Sequence, residues 1–490
     1  MQWTTEQRYT RIEDITEQEL TALKQKVDRS PWRQTYHIQP EMGLLNDPNG
    51  FSFFNGEYHL FYQWFPLGPV HGIKYWYHTK SKDLVHWENA GIAIRPNDDI
   101  DSHGAYSGSG IEHNGQLYLM YTGNTRDENW IRHPKQNIAV MDQHGSIQKR
   151  KTPVIDHVPD GYTDHFRDPK VWKENDTFYA IIGAQRTDLT GCVVLYHSPD
   201  METWTFAGEV QTALPEFGYM WECPDYFDIN GQGIFIFSPQ GIAPDGDHYH
   251  NIYQSGYVLG NLNVHTQQLQ HGDFHELDRG FDFYAPQTME APDGRRILVG
   301  WMGLPEMAYP TDDHGWAHCL TIPRELTVEN GRLIQRPVRE LQNLRGIKME
   351  ASALLEDETK TFDSFSGTSF ELICTFDLED ADSCGIEIRV NDCEKTIVTY
   401  DAAGQKVHVD RSHSGALADT AYGSVRSCRA EGSQITFHLF VDSSSLELFV
   451  NDGLDVFTSR IFPSDDCTGI RFFAKGGRAA CRAEKWTIGG

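Results

Sequence analysis

The chain has 490 residues, 39% of them hydrophobic and 23% charged, with a formal net charge of -28. That length exceeds what one hydrophobic core usually spans, so two domains are expected, and the composition excludes a disordered chain. The excess acid opposes a phosphate backbone, which excludes nucleic acid as a partner, and no run of 18 apolar residues offers a membrane span, which excludes a membrane partner.

The N-terminal thirty residues contain no apolar run able to act as a secretory signal, so a cytoplasmic protein is expected. Residues 4–28 hold neither Gly nor Pro and predict a polar leading helix within an N-terminal helical extension, 1–31. The nine cysteines include no C-x-x-C pair, so they suggest neither a zinc site nor a disulfide framework. From Trp32 to Pro337 short aromatic and β-branched runs alternate with Asn-Gly and Asp-Gly turns, the pattern of antiparallel hairpins.

Five such turns align, at Asn55, Asn114, Asn175, Asn230 and Asp293, spaced by 59, 61, 55 and 63 residues. Near-equal periods with room for four short strands each predict a five-bladed β-propeller over 32–337. The basic segment 332–345 is expected to form a short connecting helix, with a linker at 338–346. From 347 to 490 alternating runs such as "QITFHLFVD" predict a β-sandwich, so the fold class is all-β, a five-bladed β-propeller followed by a C-terminal β-sandwich.

Seven or eight residues before the first four turns stand Asp47, Ser107, Asp168 and Glu222, and the fifth period offers Tyr284 and Gln287. Asp47 alone, in "NDPNG", is explained by turn chemistry. Acids at matching places in "HFRDP" and "WECPD" are not, because equivalent strands of a propeller would bring three carboxylates to one axial mouth, where they repel. Two carboxyl groups flanking a bond are the apparatus of glycoside hydrolysis.

At these residues the sequence resembles glycoside hydrolase family 32, the invertases and sucrose-6-phosphate hydrolases. "LLNDPNG", "FYQWFP", "YSGS", "FRDPKVW", "WECPD", "FDFYAPQT" and "IPREL" follow that family's motifs in order, so the resemblance covers nearly the whole chain from Pro31. The resemblance implies Asp47 as nucleophile, Asp168 as transition-state stabiliser and Glu222 as acid/base. Leu45, Asn46, Gln63, Trp76, Tyr106, Ser107, Arg167 and Tyr284 are expected to bind the sugar, with Trp64 as a further stacking ring. One departure stands out: Tyr77 replaces the Gly of the family's Trp-Gly-His triplet. Glu222 has to start protonated, which calls for apolar and acidic neighbours.

Asp98, Asp99 and Asp101 cluster and are expected to be a solvated loop, and Asp47-Pro48-Asn49-Gly50 lacks the spacing of a calcium loop; no metal and no cofactor are expected. The expected partner is a small-molecule sugar, sucrose 6-phosphate or sucrose, with no expectation for oligomeric state. Lys74, Arg126, Arg132, His133 and Arg186 are candidate cations for the phosphate. A fructosyltransferase, a fructan-hydrolysing enzyme and a non-catalytic sugar-binding propeller are the alternatives.

Overall fold

A computed structural model describes residues 3–489, so the first two residues of the expected 1–31 extension and the last of the 347–490 sandwich lie outside the described residues. The leading segment is two helices rather than one, α1 (Thr5–Tyr9) and α2 (Glu17–Asp28). Each begins with a capping box, Thr4 with Gln7 and Thr16 with Glu19. The second box starts a new helix where a single one was expected, because the Thr16 hydroxyl takes up the Glu19 amide that a continuing helix would have bonded within its own ladder.

Four antiparallel sheets follow in chain order. They are β1 (Gly43–Phe54) to β4 (Trp87–Ile94), β5 (Ala105–His113) to β8 (Ile147–Lys149), β9 (Tyr162–Glu174) to β12 (Thr205–Glu209), and β13 (Met220–Ile229) to β16 (Gln268–His271). A fifth sheet is built on Tyr284–Glu290, Arg296–Met302, Arg324–Glu329 and Arg332–Pro337. The turns between first and second strands hold Asn55, Asn114, Asn175 and Asn230 at φ of 51°, 53°, 55° and 54°, the left-handed conformation that two-residue hairpins demand and Asn tolerates. Arg332–Pro337 is thus a strand, not the expected connecting helix, and only Arg339–Leu344 coils, as a 3-10 turn.

The first strand of each sheet packs on the first strand of the next, and Tyr284–Glu290 contacts both β13 and β1, so the five sheets close a ring. Trp316–Ala317 pairs in parallel with Gly43 and Leu44 of β1, fastening the last sheet to the first. The innermost strands are also stitched across the ring. Gln287 accepts from the Phe51 amide and donates to the Gly108 carbonyl, while Lys170 donates to Asp225 and to the Thr288 carbonyl.

Two six-stranded antiparallel sheets make up the C-terminal part, one with Arg345–Glu356 and Asp455–Arg460 at its edges, the other running from Thr359–Lys360 to Val425–Arg429. Strands such as Lys406–His413 alternate buried and half-buried residues, so one face of each sheet supplies the shared core of Phe370, Leu372, Ile386, Val398, Phe437 and Leu448. Buried ion pairs tie this part to the ring: Arg324, itself paired with Asp278 of the ring at 3.0 Å, meets Glu447 at 2.6 Å, and His37 meets Asp442 at 2.8 Å and Glu447 at 3.1 Å. No helix of the described residues is long and apolar enough to cross a membrane.

Candidate active site

The first strands share one local defect. Between Leu45 and Pro48, Ala105 and Gly108, Arg167 and Lys170, Glu222 and Asp225, and Tyr284 and Gln287, the register slips by one residue against the second strand. Each slip is a bulge, and in four of the five it contains or abuts a proline: Pro48, Pro169, Pro224 and Pro286. Proline removes a ladder donor, so the strand bulges there and re-aims its neighbours' side chains. Asp168, Cys223 and Ala285, each directly before such a proline, have positive φ of 67°, 47° and 48°. The acids therefore do not occupy one equivalent position as expected: Asp47 stands one residue before the resumed pairing, Asp168 two and Glu222 three. All three nonetheless line one cavity of about 370 Å³, together with Asn46, Gln63, Tyr106, Arg167 and Tyr284.

Asp47 is held from below. Ser107 Oγ donates to its Oδ2 at 2.5 Å, Gln63 Nε2 lies 3.5 Å from the same oxygen, and Asn46 Nδ2 donates to Oδ1 at 3.1 Å. Lys74 Nζ donates to Asn46 Oδ1 at 2.7 Å, and burial pushes this lysine down to about 7. Burial raises the Asp47 pKa, opposed by the Ser107 hydrogen bond and reinforced by the charge of Glu222.

Asp168 accepts from the Cys223 amide at 3.1 Å, and the Cys223 thiol sits between Asp168 and Asp47, 3.7 and 3.6 Å from an oxygen of each. Burial raises the Asp168 pKa most; Arg167 lowers it, and the Glu222 and Asp47 charges raise it again. Glu222 has the acidic neighbours expected for it, Asp47 and Asp168 in the same cavity, but polar donors stand where apolar ones were expected. Arg167 donates to its Oε1 from Nε at 2.9 Å and Nη2 at 2.7 Å, while Gln240 and Tyr284 each donate to Oε2 at 2.6 Å. Donors from three strands, Arg167, Gln240 and Tyr284, stand against that carboxyl in place of a hydrophobic wall.

Other expected residues sit behind the cavity. Trp76 is fully buried and donates from its indole to the Tyr106 carbonyl, so it positions Tyr106 rather than facing a ligand. Leu45 and Trp64 belong to the core, Trp64 bonded to the Met42 carbonyl. Tyr77, at the position of the family's glycine, points to the opposite face of its strand and stacks on Tyr62. Of the candidate phosphate cations, Arg186 is paired with Glu209 and His133 with Asp127, whereas Lys74 and Arg132 line the cavity. Asp101 is not in a solvated loop: it is buried and accepts from Lys149 and Tyr121. Gln240, His165, Tyr253 and, from the leading segment, Arg8 and Tyr9 line the cavity without any signal in the hairpin pattern.

The chain matches the profile described as glycosyl hydrolases family 32 N-terminal domain over residues 37–337 and that of the family 32 C terminal over 340–488. The chain belongs to glycosyl hydrolase family 32. Among family 32 relatives, a sucrose-6-phosphate hydrolase of Staphylococcus xylosus is 48% identical, covering 100% of this chain and 99% of that one. The structure of a sucrose-6-phosphate hydrolase from Lactobacillus gasseri superposes with a TM-score of 0.93 at 38% identity, covering 99% of both chains. A mutant family 32 β-fructofuranosidase of Bombyx mori in complex with sucrose follows at a TM-score of 0.83 and 34% identity, covering 96% of this chain and 97% of that one. Family membership makes this chain a glycoside hydrolase.

Proposed function

We propose that the chain is a retaining β-fructofuranosidase that hydrolyses sucrose 6-phosphate and, less efficiently, sucrose, in the cytoplasm. Its helical extension (1–31) precedes a five-bladed propeller (32–337), a linker (338–346) and a β-sandwich (347–490). The ring of five sheets of four or five strands each and the two facing six-stranded sheets support that architecture.

The observation that carries the activity is the opening of Asp47, Asp168 and Glu222 onto a single cavity, with Arg167 between Glu222 and Asp168. Asp47 attacks the anomeric carbon of the fructosyl unit while Glu222 protonates the leaving oxygen, and Glu222 then draws a proton from the water that releases fructose. Ser107, Gln63 and Asn46 orient the nucleophile, and Arg167 and Asp168 grip fructose hydroxyls.

The high identity to sucrose-6-phosphate hydrolases along the whole chain supports the phosphorylated substrate over a fructan or a transferase role. Rates on sucrose 6-phosphate, sucrose, raffinose and inulin, measured side by side, test the reading. Preference for sucrose 6-phosphate supports it, and fastest release from inulin overturns it.

A further inference from the structure

The hairpin joining β6 (Gln116–Arg126) to β7 (Arg132–Met141) places Arg126 and Arg132 directly opposite each other. Like charges facing across an antiparallel pair repel, so this arrangement costs stability unless something negative lies between or beside them. Neither makes an ion pair with a carboxylate among the described residues, and the Nε of each is buried without a hydrogen-bond partner. The nearby Asp127 is already engaged by the amides of Asn129 and Ile131 and by His133.

Of the two, Arg132 lines the cavity, while Arg126 stands beside it and donates from Nη1 to the Trp130 carbonyl at 2.8 Å; the leading segment brings a third cation next to Arg132. Arg8, at the end of α1, lines the cavity with Arg132 and Tyr106; its Nη1 donates to the His71 carbonyl at 2.7 Å, and its own carbonyl accepts from the Ile73 amide. Tyr9 packs edge-on against Trp130 of the hairpin tip, with ring centroids 5.2 Å apart, and against His103 at 5.6 Å. Helix and hairpin are therefore locked together at one rim. That rim is cationic in a chain whose net charge of -28 would otherwise repel an anionic substrate.

We propose that Arg8, Arg126 and Arg132 form an anion subsite for the phosphoryl group on the leaving glucose, and that this rim sets the preference for the phosphorylated sugar. The subsite rests on the fructofuranosidase reading above and adds residues to it: a dianion between the two guanidinium groups turns their mutual repulsion into charge-assisted hydrogen bonds, with planar donors suited to phosphate oxygens. α1, which looks like a peripheral ornament, becomes part of the specificity wall.

The test is the ratio of kcat/KM for sucrose 6-phosphate to that for sucrose, in the wild type and in Arg8→Gln, Arg126→Gln and Arg132→Gln. Each arginine variant is expected to lower the ratio by about 10- to 100-fold, chiefly through KM, as loss of a hydrogen bond to a charged group does. Arg132→Lys is expected to recover part of it. A wild-type preference that survives unchanged in all three variants overturns the subsite and leaves the fructofuranosidase reading intact, whereas a wild type that releases fructose from neither sugar removes both. Binding gives a second readout independent of turnover. Glucose 6-phosphate is expected to raise the Tm of the wild type more than glucose does, and the Arg126→Gln/Arg132→Gln double variant is expected to lose that difference; equal shifts in both proteins overturn the proposal.

Discussion

Ser107 Oγ, on the second sheet, donates to Asp47 Oδ2, on the first, at 2.5 Å. The bond reaches across two sheets to a carboxyl that burial already drives toward its neutral form, and it is the strongest single influence holding the Asp47 pKa down. In Ser107→Ala that influence is gone, so the Asp47 pKa rises further. A nucleophile has to be ionised, so the acid limb of the kcat/KM profile is expected to move to higher pH, with kcat at its optimum falling about tenfold or more. A pH–rate profile with an unmoved acid limb contradicts the role given to Ser107.

Asp47→Ala and Glu222→Ala are both expected to lose most turnover while staying folded, since each side chain borders a cavity rather than a core. Their residual activities should differ in kind. An activated aryl fructoside needs no proton on its leaving group, so Glu222→Ala should still form the intermediate from it and Asp47→Ala should not. Equal losses on activated and natural substrates in both variants contradict the assignment.

Double displacement predicts retention, with carboxyl groups about 5–5.5 Å apart as in other retaining enzymes. The first fructose anomer released, followed by NMR before mutarotation, reports this directly, and inversion there would falsify the nucleophilic role of Asp47.

Asp168→Asn is expected to abolish activity and raise Tm. Folding raises the pKa of Asp168 through burial, so its charged form is disfavoured in the folded state. The cost is absent below the unfolded carboxyl range near pH ~4 and grows as pH rises toward the folded value. Asn keeps an oxygen for the Cys223 amide and sheds the charge. The gain in Tm should accordingly be larger at pH 8 than at pH 4, and thermal melts at the two pH values check it.

His37, just ahead of β1, links the ring segment to the C-terminal sheets, and its environment makes a pH-dependent clasp. Burial lowers its pKa, but hydrogen bonds and charges from Asp442 and Glu447 outweigh that and raise it to about 9. A raised histidine contributes stability that is fully present below its unfolded pKa near ~6.5 and is lost as pH climbs to about 9, at up to about 1.4 kcal/mol per pH unit. Unfolding free energy is expected to fall across that window, and His37→Gln should flatten the slope. Denaturant melts at pH 6, 7.5 and 9 test it.

How much of this was legible beforehand differs from element to element. The hairpins were, because a two-residue turn needs a left-handed residue and Asn-Gly announces one locally; the four Asn turns stand where the pattern puts them. The capping box at Thr16 was equally local, yet the uninterrupted polar composition of residues 4–28 concealed it. The strand Arg332–Pro337 reads as a helix on its own basic composition, and it is the pairing with Arg324–Glu329 that makes it a strand.

Sequence by itself determined that acids stand just before the hairpin turns and that the chain is built of repeating antiparallel hairpins, since motifs and turns depend on neighbours a few residues apart. Tertiary structure decided which side chains share the cavity. Trp76 and Trp64 turn into the core while Gln240, Arg8 and Tyr9 arrive from other elements, because a wall made by ring closure joins residues with no fixed sequence separation. It also decided the surroundings of Glu222: only the packing of β13 against the neighbouring sheets brings Arg167, 55 residues away, and Tyr284, 62 residues away, within hydrogen-bonding distance of one carboxyl. Hydrogen bonds and burial act over a few ångströms in space, and a linear pattern carries no measure of that distance.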